Sequence, residues 1–268
     1  MTTAALAPRT ALFLPASNFR ALEKARGLDA DLVILDLEDA VKPADKDAAR
    51  LAAITAVAQG FGKSLSAIRL NGVDTAEHAA DAAAVVSSRA NFAVLPKAED
   101  PALVERLIQT LGKPLLTMIE TPRGVLAASQ IAAIPGVAGL IAGTNDLAAT
   151  LRLPPSSGRE AMSVALQTIV LAARAGHAWA IDGVFNQLDD AEGLRVECEA
   201  GRALGFDGKS LIHPNQIEIV AHAFGATESE IAEAQALIAA ATGGAERYQD
   251  RMIETLHVEQ ARALLARR

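Results

Sequence analysis

The sequence predicts an α/β fold: a (β/α)8 TIM barrel over residues 1–225, with a C-terminal helical extension or arm over 226–268, in one structural unit. Three observations predict it. Eight apolar runs recur along the 268 residues, each ends in a charged or strongly polar residue, and helical stretches fill the gaps. An apolar run with little alternation is a strand buried on both faces, and such strands belong to parallel sheets covered by helices. Polar residues at the C-terminal ends of those strands are how a barrel builds a site from its loops.

The runs, in order, are ALFLPAS at 11–17, DLVILDLED at 31–39, SAIRLNG at 66–72, NFAVLPKAE at 91–99, PLLTMIET at 114–121, VAGLIAGTND at 137–146, HAWAIDGV at 177–184 and GKSLIHP at 208–214. Helices are expected near 17–26, from Pro43 to Gly60, near 74–88, from Pro101 to Gly112, and near 122–132, 157–175 and 189–204. Asp100 is a helix cap followed by a proline suited to the first turn, and Gly112 suits the residue just past the helix end. Strict βα alternation implies right-handed crossovers and a parallel sheet. The strand-end residues Asp36, Arg69, Lys97, Glu120, Asp146, Asp182 and His213 lie 23 to 36 residues apart, about one βα unit each. An open doubly wound sheet is the alternative. Eight units, and no glycine-rich dinucleotide fingerprint after the first strand, favour the barrel. Beyond the eighth strand, two helices are expected near 227–241 and 255–267, joined by TGGAERYQDRMIE. Its paired glycines and polar stretch read either as a hinge and mobile lid or as an exposed connector.

Composition bounds the function. A net charge of −7 argues against nucleic acid as a partner, because phosphate neutralisation needs a basic surface. With 51% hydrophobic and only 3% aromatic residues, the core is built from Ala, Leu, Ile and Val. The single Cys198 excludes an intrachain disulfide framework and a cysteine zinc cluster, which suits a reducing cytoplasm. Residues 1–10 lack the features of a signal peptide, and no apolar segment reaches the roughly 20 residues needed to span a bilayer. A soluble cytoplasmic enzyme with a small-molecule substrate is the expectation.

Glu120 and Asp146 are the sharpest pair. Adjacent units place both at one barrel mouth, where two carboxylates with water make a hard-cation site for Mg2+. The competing reading has one of them cap the next helix and the other form a salt bridge, although Thr121–Pro122 and Asn145 could do the capping. Arg69 ends an apolar strand, where a guanidinium needs a carboxylate, a phosphate or a substrate oxygen. Asp36, Glu38 and Asp39 crowd the end of the second run. Strand alternation puts Asp36 and Glu38 on one face and Asp39 on the other. These acids either tune a base and hold water near a metal, or pair with Arg69 and Lys97. The GTND segment offers backbone N–H groups entering a helix, a cradle for a carboxylate. His213 is read as structural, Cys198 as packing, and the remaining histidines show no metal spacing. No nucleophile elbow or Walker loop is present.

RTALFLPAS, VILDLEDAV, IRLNG, VLPKAE, MIETPRG, AGTNDL, IDGV and GFDGKSLIHPNQ, in that order, resemble the citrate lyase β-subunit-like enzymes of the HpcH/HpaI aldolase superfamily over nearly the whole chain. The resemblance implies a TIM barrel, a trimer or hexamer, and Mg2+. It also implies making or breaking a carbon–carbon bond between acetyl-CoA, or an acyl-carrier thioester, and an α-keto acid. By position, Glu120 and Asp146 match the metal ligands, with Glu120 also at the substrate. Arg69 matches the residue that steadies the carbonyl or enolate oxygen, and Glu38 and Asp39 match acids near the metal's water shell. The backbone of Gly143, Thr144 and Asn145 would hold the keto-acid carboxylate. Lys24 and Lys97 are looser candidates for the phosphates of coenzyme A. Where active acyl-CoA enzymes of the family carry an arm aspartate as acid/base, often reaching a neighbouring subunit, RMIETLHVEQA has Glu254.

The implied reaction is a retro-Claisen cleavage of a citramalyl-, malyl- or citryl-type thioester, or its reverse. Related outcomes on the same scaffold are malate formation with thioester hydrolysis and the β-subunit role in a carrier-dependent citrate lyase. A coenzyme A-independent aldolase and a non-catalytic metal-binding barrel are the more distant alternatives.

Overall fold

The computed structural model describes residues 6–266. The strands are β1 (Thr10–Pro15), β2 (Leu32–Asp36), β3 (Leu65–Arg69), β4 (Phe92–Leu95), β5 (Leu115–Ile119), β6 (Val137–Ala142), β7 (Trp179–Asp182) and β8 (Gly208–Leu211). All eight pair in parallel and in sequence order, and β8 returns to β1 to close the barrel. The helices around them are α1 (Phe19–Ala25), α2 (Lys46–Gln59), α3 (His78–Ser87), α4 (Pro101–Leu111), α5 (Pro122–Ala132), α6 (Thr144–Thr150), α7 (Ser163–Ala175), α8 (Ala191–Leu204) and α9 (Ile217–Ala223). The C-terminal part adds α10 (Glu228–Ala240), a hairpin of β9 (Glu246–Tyr248) and β10 (Arg251–Ile253), and α11 (Thr255–Ala266).

Burial on both strand faces explains the unbroken apolar runs. Inside the barrel, Ala11, Leu32, Ile34, Ala67, Val94, Leu116, Met118, Ile141 and Ile181 form one cluster. Their neighbours in sequence, among them Leu12, Val33, Leu35, Ile68, Leu115 and Leu140, turn outward into the larger cluster beneath the helices. Each fully buried aliphatic side chain contributes roughly 1.5–3 kcal/mol against exposure. Alternation therefore persists in space while hydropathy shows none.

Local signals end the elements where they were expected. Asp100 accepts a hydrogen bond from Ala102 N at 2.9 Å to start α4, and Gly112 stops it with φ of +60°. Asp190 accepts from Gly193 N at 2.8 Å to start α8. Three segments differ from expectation. The helix expected over 157–175 is a 3-10 turn, Arg159–Met162, leading into α7. Helix α9 was not expected. The segment after the paired glycines, expected as a hinge with a mobile lid or arm or as an exposed connector, contains a short antiparallel hairpin that no periodicity foretold, with Gly243 and Gly244 at φ of +107° and +92°.

The C-terminal part has its own apolar cluster of Ala234, Leu237, Ile253 and Ala261. Arg202 on α8 ties it to the barrel through Glu230 on α10 at 2.9 Å.

Candidate active site

Strand parity decides which polar residues reach the barrel mouth. Counting on from the inward-facing Ile34, Ala67, Met118 and Ile141 puts Asp36, Arg69, Glu120 and Gly143 inward, and all four line a cavity of about 410 Å3. Asp39 joins them from the loop after β2, and Thr144, Asn145 and Asp146 from the first turn of α6, with Phe13, Met118 and Ser210 among the other walls. The same count sends Asp182 and Lys209 outward. There, fully buried, they pair at 3.1 Å, with Glu197 on α8 at 2.7 Å from the lysine and Arg159 also on Asp182. Asp182 is thus part of the barrel wall, not of the cavity.

Asp36 and Arg69 are register partners on β2 and β3, which explains their pairing. The guanidinium forks onto the carboxylate, Nε to Oδ1 and Nη2 to Oδ2, both at 2.7 Å. Nη1 is left facing Glu38 Oε2 at 2.9 Å and Met118 Sδ at 3.6 Å, and Phe13 lies beneath the guanidinium at 5.2 Å. Arg69 is therefore both a structural ion pair and a cavity wall.

The second acidic run departs from simple alternation. β2 ends at Asp36, whose carboxylate accepts from Glu38 N at 2.8 Å and Ala40 N at 3.0 Å. This side-chain turn takes over from the strand. Glu38 is buried behind Arg69, while Asp39 is exposed and reaches the cavity. Burial pushes the Glu38 carboxyl above its usual range, against the pull of Arg69.

On β5 and β6, Ile119 pairs with Ala142, so Glu120 and Gly143 leave their strands side by side. A Cβ on Gly143 would stand 2.2 Å from Glu120 Cβ and 2.5 Å from its Oε2, so only glycine admits the carboxylate here. Gly183 does the same for Thr144, whose Oγ1 would meet a Cβ at 2.5 Å. Thr121, not Glu120, caps α5, accepting from Gly124 N at 3.0 Å. Glu120 Oε1 instead accepts from Lys97 N at 2.7 Å, a direction set by the left-handed φ of +48° at Lys97. Burial raises the Glu120 pKa to about 7. The Lys97 N–H opposes this, the charges of Glu38 and Asp146 add to it, and Arg69 draws it back.

Lys97 sits half-exposed on the rim, its Nζ 3.2 Å from Glu38 Oε1 and 3.7 Å from Asp146 Oδ2. Burial works against its charge, but Glu38, with Asp39 and Asp146, holds its pKa above the ordinary lysine value. Gly143 spends its own N–H on Ile119 O at 3.1 Å. Thr144 and Asn145 begin α6, and first-turn N–H groups have no helical carbonyl to reach. Asn145 also exchanges amide hydrogen bonds with Asn186, at 3.3 and 2.8 Å.

The donor set fits a hard cation. Two carboxylates on neighbouring units share the cavity, one seated on a glycine that leaves it room. Among the described residues no group of three or more His, Cys, Asp or Glu could hold an ion alone. Two protein ligands with water and substrate completing the shell is the usual manner of Mg2+.

Two expected residues lie elsewhere. Lys24 is exposed in the last turn of α1, away from the cavity lining. Glu254 is exposed before α11, its N–H on His257 Nδ1 at 2.9 Å, and it does not line the cavity of its own chain. His213 caps the 3-10 turn Pro214–Gln216, and Cys198 is packed with its thiol pushed up to about 12 by burial. Phe13 and Met118 were missed, although a period of two from Glu120 points to Met118.

A family model described as HpcH/HpaI aldolase/citrate lyase matches residues 9–214. A (3S)-malyl-CoA thioesterase of Cereibacter sphaeroides is 43% identical, over 97% of this chain and 94% of that protein. A citrate lyase subunit beta of Leuconostoc mesenteroides subsp. cremoris is 35% identical, over 87% of this chain and 82% of that protein. Among solved structures, CitE of Mycobacterium tuberculosis in complex with magnesium, acetoacetate and coenzyme A superposes with a TM-score of 0.82 at 33% identity, covering 98% of each chain.

Proposed function

The chain belongs to the HpcH/HpaI aldolase/citrate lyase family, and from that premise we propose a Mg2+-dependent enzyme that cleaves a 3-hydroxyacyl-CoA thioester of the malyl, citramalyl or citryl kind into acetyl-CoA and an α-keto acid, or joins them. The observation that carries this reading is the convergence of Arg69, Glu120 and Asp146 with the start of α6 on one cavity. The lyase subunits among its relatives and the magnesium, acetoacetate and coenzyme A of the CitE complex support it.

Glu120 and Asp146 would hold the Mg2+. When bound, the ion supplies Lewis acidity that makes the substrate hydroxyl easier to deprotonate. Asp39, on the cavity wall, takes that proton as the carbon–carbon bond breaks. The electron pair of the bond passes to the thioester carbonyl as an enolate, and Arg69 meets the developing charge. Asp36 keeps the guanidinium pre-aimed, and Glu38 balances it from behind. The first-turn N–H groups of Thr144 and Asn145 hold the keto-acid carboxylate, while Gly143 supplies the space. Glu254, from a neighbouring copy in a trimer or hexamer, or water returns a proton to the enolate carbon. Lys97, and more remotely Lys24, supply positive charge toward the phosphates of coenzyme A. This reading places the enzyme in the cytoplasm, where coenzyme A thioesters and a free buried Cys198 are both at home.

The 43% identity with a (3S)-malyl-CoA thioesterase favours a second reading, in which the same site hydrolyses the thioester and Arg69 meets a tetrahedral oxyanion instead of an enolate. Product analysis separates the two. Malyl-, citramalyl- and citryl-CoA, together with a citryl carrier-protein thioester, are incubated with Mg2+ or with EDTA. Acetyl thioester plus keto acid supports the lyase, and free thiol plus intact hydroxy acid supports the thioesterase. No Mg2+-dependent product from any substrate overturns both.

A further inference from the structure

The turn that presents Glu38 and Asp39 is held on its N–H side by Asp36, as described above. Its carbonyl side is held by residues that the proposed chemistry does not use. Lys46, the first residue of α2, reaches back over the turn. Its Nζ donates to Leu37 O at 2.7 Å, Glu38 O at 2.8 Å and Asn71 Oδ1 at 2.5 Å. An ammonium has three donors, and here each has its own acceptor.

Asn71 fixes the lysine in turn. Its Nδ2 donates to Leu37 O at 2.9 Å and to Asp81 Oδ2 at 2.6 Å, and its backbone N–H donates to the same Asp81 oxygen at 2.8 Å. The orientation of the Asn71 amide follows from these partners: nitrogen toward two acceptors, oxygen toward the ammonium. Asp81 is fully buried, and its other oxygen accepts from Arg50 Nε at 2.8 Å. Neither Lys46 nor Asn71 lines the cavity.

We infer that Lys46, locked by Asn71, is a positioning residue: it fixes the peptide planes of the 37–39 turn so that Asp39 faces the substrate and Glu38 faces Arg69. The last β2–β3 ladder bond runs from Leu37 N to Arg69 O at 3.0 Å, so beyond it the Asp36 and Lys46 clamps, with the turn bond from Val41 N to Glu38 O at 3.1 Å, set the direction of residues 38 and 39. A displacement near 1 Å at a proton-transferring group costs about 100-fold in rate. The inference rests on the reading that Asp39 moves the substrate proton, and its test separates the two.

Lys46→Met keeps the stem and removes the donors, while Lys46→Arg keeps charge and donors. For a folded Lys46→Met, kcat on the thioester that the wild type turns over falls about 100-fold, with KM within about threefold. Mg2+ affinity measured by calorimetry without substrate stays within about twofold, because Glu120 and Asp146 are untouched. Lys46→Arg recovers most of the loss. A kcat within about threefold of wild type for Lys46→Met, or no recovery in Lys46→Arg, overturns the assignment. A wild type inactive on every thioester refutes the functional reading alone. Amide exchange then decides the inference: Ala40 N–H exchanges at least about tenfold faster in Lys46→Met while Leu70 N–H is unchanged, and equal exchange at Ala40 overturns it.

Discussion

Asp36 and Arg69 face one another across the β2–β3 pair, and two parallel hydrogen bonds of 2.7 Å join carboxylate to guanidinium inside the barrel mouth. The fork satisfies two of the three guanidinium nitrogens and fixes the third beside Glu38 Oε2 at 2.9 Å, on the wall of the cavity, so that under the proposed mechanism the ion pair also holds the edge that meets the substrate. A point charge cannot do both.

Arg69→Lys is therefore expected to lower turnover at least about 100-fold, equivalent to roughly 2.7 kcal/mol of transition-state stabilisation. It also replaces the two-bond fork on buried Asp36 with at most one bond, leaving the Glu38 and Ala40 N–H groups in place, which costs about 1–3 kcal/mol of stability in urea titration. Turnover within threefold of wild type would remove Arg69 from the chemistry.

Gly143→Ala forces a Cβ to within 2.2 Å of Glu120 Cβ, so one of the two must move. Mg2+ affinity is expected to fall by about 10- to 100-fold in calorimetry, as for changes that shift a ligand without deleting it. Unchanged affinity would separate Gly143 from the metal site.

Glu120 gives a pH signature in the metal-free protein. Its pKa is raised from 4.5 to about 7 by burial, so the folded state prefers the protonated form. The stability this contributes is complete below 4.5, fades as pH rises, and is gone above about 7. Glu120→Gln imitates the protonated form at every pH and keeps the acceptor for Lys97 N–H. In EDTA the variant should match wild type near pH 4.5 and exceed it at pH 8 by up to about 3 kcal/mol. Thermal melts at the two pH values measure the difference, and equal curves at pH 8 would refute the raised pKa.

Asp146 is half-exposed and pairs only loosely with Lys97 at 3.7 Å, so Asp146→Ala should fold normally. Its Mg2+-dependent turnover should vanish, as should that of wild type treated with EDTA and that of Glu120→Ala. Melting within a few degrees of wild type, together with lost activity, is the expected pair of results. Retained activity in both variants would refute the metal assignment.

The barrel was legible in the sequence because its strands are buried on both faces, so that each reads as an unbroken apolar run ending in a residue such as Asp36, Arg69 or Glu120. What hydropathy hides is parity. Asp182 ends its run just as Glu120 does, yet it faces α8, and only the inward position of its neighbour Ile181 reveals this. Asp39 was assigned to the wrong face because strand alternation was carried past Asp36, where a side-chain turn had replaced the strand. The clamp of Lys46 on Asn71 joins residues 25 positions apart with no shared periodicity. Strands of three residues, such as β9 and β10, are too short to show a period at all.

Every charged side chain that lines the cavity lies between Asp36 and Asp146, yet the ring is closed by Thr10 beside Lys209 and Leu12 beside Leu211. During translation the nascent chain thus carries the charged groups of its cavity long before it has a closed wall to mount them on. A message cut short after Asp146 encodes every charged group of the cavity wall and none of the closed ring. The ring can close only after β8, the last barrel strand, has left the ribosome to pair with β1.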